Sequence, residues 1–229
     1  MKIYDISRGL QDAPLYPGSE AALVQRISSM EDGAMYNEST VTAGSHHGTH
    51  ADAFSHFLPN GAAIDAMPLE NYCGTCRVIS VEAEELIRAD RLKGRFGGVS
   101  RIVLRTGGAT LCEQAAEYIA ACGVKLLVTD ALSVGPQDNE AAVHTILMRG
   151  GVAIVENADL SAVPDGDYLI FSFPVKITGC DGAPVRAVLL QSGEADREGA
   201  EIEKTLEAAP DEDAVQAEEA KLPPLPNAE

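Results

Sequence analysis

Four of the five histidines of this chain fall between residues 46 and 56, in the segment Ser45-His46-His47-Gly48-Thr49-His50-Ala51-Asp52-Ala53-Phe54-Ser55-His56. Imidazole nitrogen and carboxylate oxygen are the ordinary ligands of zinc and of related divalent ions. Two backbone geometries would let such groups converge. His46 and His50 stand four residues apart, as do Asp52 and His56, which is one turn of an α-helix. In an extended chain, positions 46, 50, 52 and 56 instead share one strand face and His47 points the other way. The residues alone leave both geometries open. Gly48 permits a positive φ or a close backbone approach to an ion, and Thr49 could cap a helical turn with Asp52 three residues on. His46, His50, His56 and Asp52 in this spacing argue for a metal site drawing on some of them, rather than a helix cap followed by unrelated surface histidines. His47, at its odd position, is expected not to be a ligand.

A catalytic metal site needs more groups than these. The remaining histidine, His144, lies in the run Ala-Ala-Val-His-Thr-Ile-Leu-Met, and Glu156 follows the apolar run Val152–Val155 twelve residues later. An acid at a strand end in an α/β domain often lines the active site. Taken alone, His144 reads as a helix-surface histidine and Glu156 as an ordinary strand-end acid; a ligand role is the alternative for each. The chain has no Gly-x-Ser-x-Gly elbow, so nothing points to a protein nucleophile. Cys73-Gly-Thr-Cys76 is a lone CxxC with no second pair at zinc-site spacing, and the five scattered cysteines suit reduced thiols.

The elements that must position these groups alternate between two periods. Arg77–Glu82, Arg101–Arg105, Leu126–Thr129, Val152–Val155 and Tyr168–Ser172 read as strands, several of them continuously apolar as expected for strands covered on both faces. Thr110–Cys122 carries helical spacing with Cys112, Ala115, Ala116, Ile119 and Cys122 on one stripe, and Gly123 ends it. Glu140–Met148 is a second helix. Strand–helix–strand order predicts an α/β domain, with a more β-rich and loop-rich first 60 residues. Trp is absent and aromatics make up 5% of the chain, so the core must be mainly aliphatic.

Composition divides the chain near residue 193. Residues 194–229 hold 12 acidic and 3 basic side chains, half of the formal net charge of −18, and close on Leu-Pro-Pro-Leu-Pro-Asn-Ala-Glu. Such a stretch buries too little apolar surface to offset its ordering entropy. The expected organisation is one domain over 1–193 and a flexible acidic tail over 194–229, mobile or packed on a partner subunit. The overall negative charge repels nucleic-acid phosphates and anionic lipid head groups, so neither is an expected partner. MKIYDISRGL at the start has no apolar run of signal-peptide length, and no window approaches the length of a membrane helix. The expectation is a cytoplasmic protein acting on a small molecule.

His46-x-Gly48-Thr49-His50-x-Asp52-x-x-x-His56 resembles the signature of the cyclase family that contains bacterial kynurenine formamidase and isatin hydrolase. The resemblance continues through Asn60-Gly61, Ile64-Asp65, Pro68-Leu69, Leu104-Arg105-Thr106, Thr129-Asp130-Ala131 and the His144…Glu156 pair. Tyr16-Pro17-Gly18 resembles the family's early aromatic-Pro-Gly turn. Together these cover roughly residues 1–193. The chain departs from the family pattern at Phe54, where the family has Pro, and at Tyr16, where the formamidases have a Trp that contacts the aryl substrate.

The resemblance implies a single swivelling β/β/α domain that assembles as a homodimer or homotetramer. It also implies a hydrolase with two divalent metal ions, zinc in the formamidases and manganese in some relatives. By position, His46, His50 and Asp52 would bind metal with Asp52 bridging, His144 and Glu156 would complete the second site, and His56 would transfer the proton. Tyr16 and Phe54 would face the substrate. The implied reaction is hydrolysis of an aryl formamide of the N-formylkynurenine type by a metal-activated water. Two alternatives stand beside it: a hydrolase of a cyclic amide or lactone such as an isatin-like ring, and a metal-binding protein without turnover. The last would need the ligands but not His56.

Overall fold

The computed structural model describes residues 1–82 and 85–191. The expected tail over 194–229 and its boundary lie outside them. The chain opens with strand β1 (Lys2–Asp5), a hairpin of β2 (Leu23–Ser28) and β3 (Glu38–Thr42), and β4 (His50–Asp52). Next come β5 (Cys73–Ser80), β6 (Leu86–Ile87), β7 (Arg101–Arg105), β8 (Thr110–Leu111), helix α1 (Glu113–Ala121), β9 (Leu126–Thr129), helix α2 (Glu140–Arg149) and β10 (Ala153–Glu156). Strands β11 (Gly166–Phe171), β12 (Gly182–Pro184) and β13 (Val188–Gln191) complete the described residues.

The main sheet runs in the order β1-β13-β11-β5-β7-β9-β10-β4-β12. Its centre, β5-β7-β9-β10, is parallel, and α1 and α2 connect β7 to β9 and β9 to β10 as in consecutive β-α-β units. The flanking strands are antiparallel. Two apolar clusters cover the two faces. One holds Ile102, Leu104, Leu127 and Ile154 under the helix residues Ala115, Ala116, Ile119, Val143 and Leu147. The other holds Val78, Val103, Val128, Val155 and Ala51 against Ile6, Met67, Tyr72 and Leu160 from loops and edges. The alternation of side chains along each strand sends neighbours to opposite clusters, and cover on both faces is why these runs are continuously apolar.

This is the mixed α/β architecture that the strand–helix alternation predicts. Several boundaries differ from the sequence reading. The first helix begins at Glu113, because Thr110 and Leu111 pair in parallel with Leu86 and Ile87 as a short ladder and Leu111 is buried there. The strand expected over Val152–Val155 runs one residue further, so Glu156 is its last residue rather than the one after it. Cys73 and Cys76 lie three apart on β5 and project to opposite faces, which removes the CxxC as a ligand pair. All five cysteines are free thiols. Among the described residues no helix is long and apolar enough to cross a membrane.

Candidate metal centre

The histidine segment is extended where it matters. Gly48 takes φ 68°, a conformation that costs glycine nothing, and turns the chain into β4. Thr49 is not a helix cap. Its hydroxyl donates to the Asn157 carbonyl at 2.8 Å and accepts the Arg8 amide at 2.8 Å, stitching the start of β4 to the end of β10.

Strand pairing then assembles the site. On β10, Glu156 pairs with His50, Val155 with Ala51 and Ile154 with Asp52. On the other side of β4, Gly182 pairs with Asp52 and Pro184 with His50. Because paired residues share a face, His50, Asp52 and Glu156 stand together on the helix-covered side, while Ala51 and Val155 fill the opposite core. His144 comes down onto the same spot from α2, on the buried stripe that it shares with Val143, Leu147 and Met148. It is a buried residue, not a helix-surface histidine. A short turn over Phe54–His56 brings His56 back over the group, its ring stacked on His46 at 4.0 Å.

Asp52 sits at the centre, with its side chain 1% exposed. Its Oδ1 faces His46 Nδ1 at 2.9 Å and His50 Nε2 at 3.4 Å, and its Oδ2 faces His144 Nε2 at 3.4 Å. Glu156 runs parallel to it, with Oε1 at 3.1 Å from His144 Nε2 and Oε2 at 3.5 Å from His50 Nε2. The Val134 amide also donates to Glu156 Oε1 at 2.7 Å.

The outer bonds of two imidazoles fix what they present. His50 Nδ1 donates to the Gly48 carbonyl at 3.0 Å and His144 Nδ1 to the Glu140 carbonyl at 2.9 Å. A carbonyl only accepts, so the single proton of each neutral ring is on Nδ1. Each Nε2 lone pair therefore points at carboxylate oxygens, an arrangement that calls for a cation between them. The electrostatics state the same demand. Burial alone would lower both imidazoles, yet the Asp52 and Glu156 carboxylates push His50 up to about 10 and His144 up to about 11. Burial would raise Asp52, but His144, His46 and His50 hold it well below the usual carboxylate range. Glu156 is raised by burial and by Asp52, but His144 and His50 bring it below its ordinary value. Asp52 Oδ2 is buried and has no hydrogen bond, which is costly unless a metal or proton satisfies it. The donor set of nitrogen and carboxylate oxygen, the two carboxylates and the orphaned oxygen fit divalent metal. Donor atoms of His46, Asp52 and His56, and of His50, Asp52 and Glu156, fall within 4.8 Å of one another in two groups that share Asp52.

The other expected residues are placed as follows. His47 is turned away, its Nε2 donating to the Leu10 carbonyl at 2.7 Å. Tyr16 donates to Glu140 Oε2 at 2.8 Å, at the start of the helix that carries His144. It lines a pocket of about 270 Å³ with Pro14, Pro17, Leu132, Gln137 and Asn157. Phe54 is half-buried against both apolar clusters. The aromatic in ring contact with the site is instead Phe57, stacked on His144 at 4.4 Å and edge-on to His56 at 4.4 Å. Asp181 was not legible in the sequence either. It lies immediately before β12, and its Oδ2 is 3.1 Å from His46 Nε2 and 3.6 Å from His56 Nδ1. No local pattern marks it, since only the pairing of β12 with β4 brings it there.

Comparison with known proteins places the chain in a family. A model of the Cyclase family matches residues 4–136, which include the whole His46–His56 segment. A protein described as a predicted metal-dependent hydrolase, from Bacillus stearothermophilus, shares the fold with a TM-score of 0.71 at 25% identity, covering 82% of this chain and 97% of its own. A potential metal-dependent hydrolase with cyclase activity aligns at 25% identity with a TM-score of 0.70, over 82% of this chain and 96% of the other. An isatin hydrolase bound to the product analogue thioisatinate shares the fold at 18% identity, with a TM-score of 0.72 over 84% of this chain and 93% of its own. With more than half of its length matched by the family model, the chain belongs to the cyclase family.

Proposed function

We propose that this protein is a metal-dependent hydrolase that cleaves an amide bond at an aryl nitrogen, an aryl formamide of the N-formylkynurenine type in the first place. The observation that carries this reading is the convergence of three imidazole nitrogens on the two oxygens of one buried aspartate, with a second buried carboxylate beside it. His46 and His50 facing one oxygen of Asp52, and His144 with Glu156 at the other, support two divalent ions with Asp52 between them. Zinc is the first candidate and manganese the second, given the nitrogen and carboxylate donors. The chemistry that such ions supply when bound is activation of water near neutral pH and polarisation of the scissile carbonyl.

The chain's own residues do the rest. His50 and His144 are held by backbone carbonyls, so their metal-facing nitrogens need no reorganisation. His56 is the acid–base residue. Burial lowers its imidazole below the ordinary value, and the nearby His46 and His144 oppose what Asp52 and Asp181 add, so it is neutral and able to accept a proton near pH 7. With Nδ1 turned to Asp181, Nε2 is the nitrogen that takes a proton from the attacking water and returns it to the leaving nitrogen. Phe57 packs on the His144 and His56 rings, and Tyr16 supplies aromatic surface for the aryl group.

A second reading keeps the same machinery and changes the substrate to a cyclic amide of the isatin type. The isatin hydrolase fold likeness favours testing it. The decisive experiment measures metal content and turnover together in His56→Ala, on N-formyl aryl amines and on isatin-like rings. Retained metal with a loss of roughly 10²–10⁴ in rate is expected for a positioned acid–base group. Loss of the metal would make His56 a ligand, and full activity would place proton transfer elsewhere.

A further inference from the structure

His46 differs from the other two inward-facing imidazoles. His50 and His144 spend Nδ1 on a backbone carbonyl and offer Nε2. His46 has no backbone partner. Its Nδ1 is 2.9 Å from Asp52 Oδ1 and its Nε2 is 3.1 Å from Asp181 Oδ2, so both ring nitrogens face a carboxylate oxygen. Carboxylates only accept. A neutral imidazole has one proton and satisfies only one of these contacts; the other is met either by a second proton, which the two carboxylates favour, or by a cation that takes the remaining lone pair, as a bound metal would. Asp52 is the shared, buried centre of the cluster, whereas Asp181 is half-exposed and otherwise satisfied. Its Oδ1 accepts the Ser45 hydroxyl at 3.0 Å and the Cys180 thiol at 3.4 Å. The cation therefore belongs on the Asp52 side and the proton on the Asp181 side.

Resting on the metal-centre reading above, we infer that Asp181 is a positioning residue: its carboxylate accepts the Nε2 proton of His46 and thereby commits the Nδ1 lone pair to the metal held with Asp52. Asp181 does for His46 what the Gly48 and Glu140 carbonyls do for His50 and His144, with the difference that a carboxylate also raises the basicity of the ring it holds. The backbone fixes it there. The Asp181 carbonyl accepts the Ala53 amide at 2.9 Å, one residue beyond Asp52. Gly182 then lies so close to His46 that a Cβ at that position would be 2.7 Å from Cε1 of the ring. The ring is thus sandwiched between His56 and the β12 backbone, with Asp181 at its outer nitrogen and Asp52 at its inner one. The same Asp181 oxygen lies 3.6 Å from His56 Nδ1, a charge contact without a hydrogen bond.

The test is cobalt(II) titration of metal-stripped protein followed by visible absorption, with zinc competition, in wild type, Asp181→Ala, Asp181→Asn, His46→Ala and the Asp181→Ala/His46→Ala double variant. Removing such an outer carboxylate should weaken cobalt binding about 10–100-fold. Asp181→Asn, which keeps an acceptor without charge, should fall between wild type and Asp181→Ala and covers the case in which the alanine variant folds poorly. In the His46→Ala background, Asp181→Ala should cost nothing further. Wild-type affinity in both Asp181 variants would overturn the inference, as would an undiminished loss in the His46→Ala background, which would show Asp181 binding metal directly. If wild type binds neither cobalt nor zinc, the metal-centre reading itself falls, an outcome distinct from either of these.

Discussion

The chemistry of the site rests on a division of labour between side chains of the same type. Three imidazoles have one nitrogen fixed from outside and the other directed at buried carboxylates, while His56 stacks on His46 with no such inward bond. That division was partly legible from the residues. His46, His50, Asp52 and His56 announce themselves through spacing, because one short stretch, the strand β4 with the turns on either side of it, carries all four. His144 and Glu156 are ambiguous in sequence, since burial decides between ligand and surface group and burial is a tertiary property. Asp181 and Phe57 carry no signal at all: Asp181 stands 135 residues from His46, and Phe57 looks like any core aromatic. One consequence at this scale concerns pH. His56 must be neutral to act as a base, and its imidazole is lowered from 6.5. Activity should therefore fall as pH drops through a value below 6.5, measured as kcat/KM at saturating metal. An acid limb below 6.5 that persists unchanged in the residual activity of His56→Ala would contradict the assignment.

At the scale of elements, the site is a product of register. A one-residue slip of β4 against β10 would send His50 and Asp52 into the core face and Ala51 into the site. The continuously apolar strands gave the sheet centre away because they are covered on both faces, so β7 and β9 match their predicted ranges. What the sequence hid were the short pairings, β4 with β12 and β6 with β8, where two or three residues are too few for a period to show. Register also makes Gly182 a specific requirement. A Cβ there would meet His46 Cε1 at 2.7 Å and the Ala51 carbonyl at 3.0 Å, so the ring or the strand must move. Gly182→Ala should lower metal affinity and cost about 1–3 kcal/mol in stability, the usual range for overpacking. Chelator competition and thermal melts of the metal-free protein would check both, and unchanged metal binding would show that His46 is not held by β12.

At the scale of the whole molecule, the chain combines an aliphatic two-faced sheet with a strongly negative C-terminal segment. The hairpin of β2 and β3 forms its own two-stranded sheet, and Leu23, Val24, Ile27 and Val41 on it are all more than 40% exposed. Two-stranded hairpins are marginal alone. Deleting residues 194–229 should leave metal content, turnover and oligomeric mass unchanged, as read by elemental analysis, assay and light scattering. A smaller particle or a large loss of activity would show that the segment packs on a partner subunit.

The central claim is that buried carboxylates and imidazoles hold divalent metal for hydrolysis. The measurement that tests it most directly follows hydrolysis of an N-formyl aryl amine and of an isatin-like ring while zinc or manganese is titrated into chelator-stripped protein. The account predicts negligible turnover without metal and recovery that saturates near two equivalents per chain. Turnover unaffected by stripping, or a fully loaded protein that hydrolyses neither amide, would contradict it.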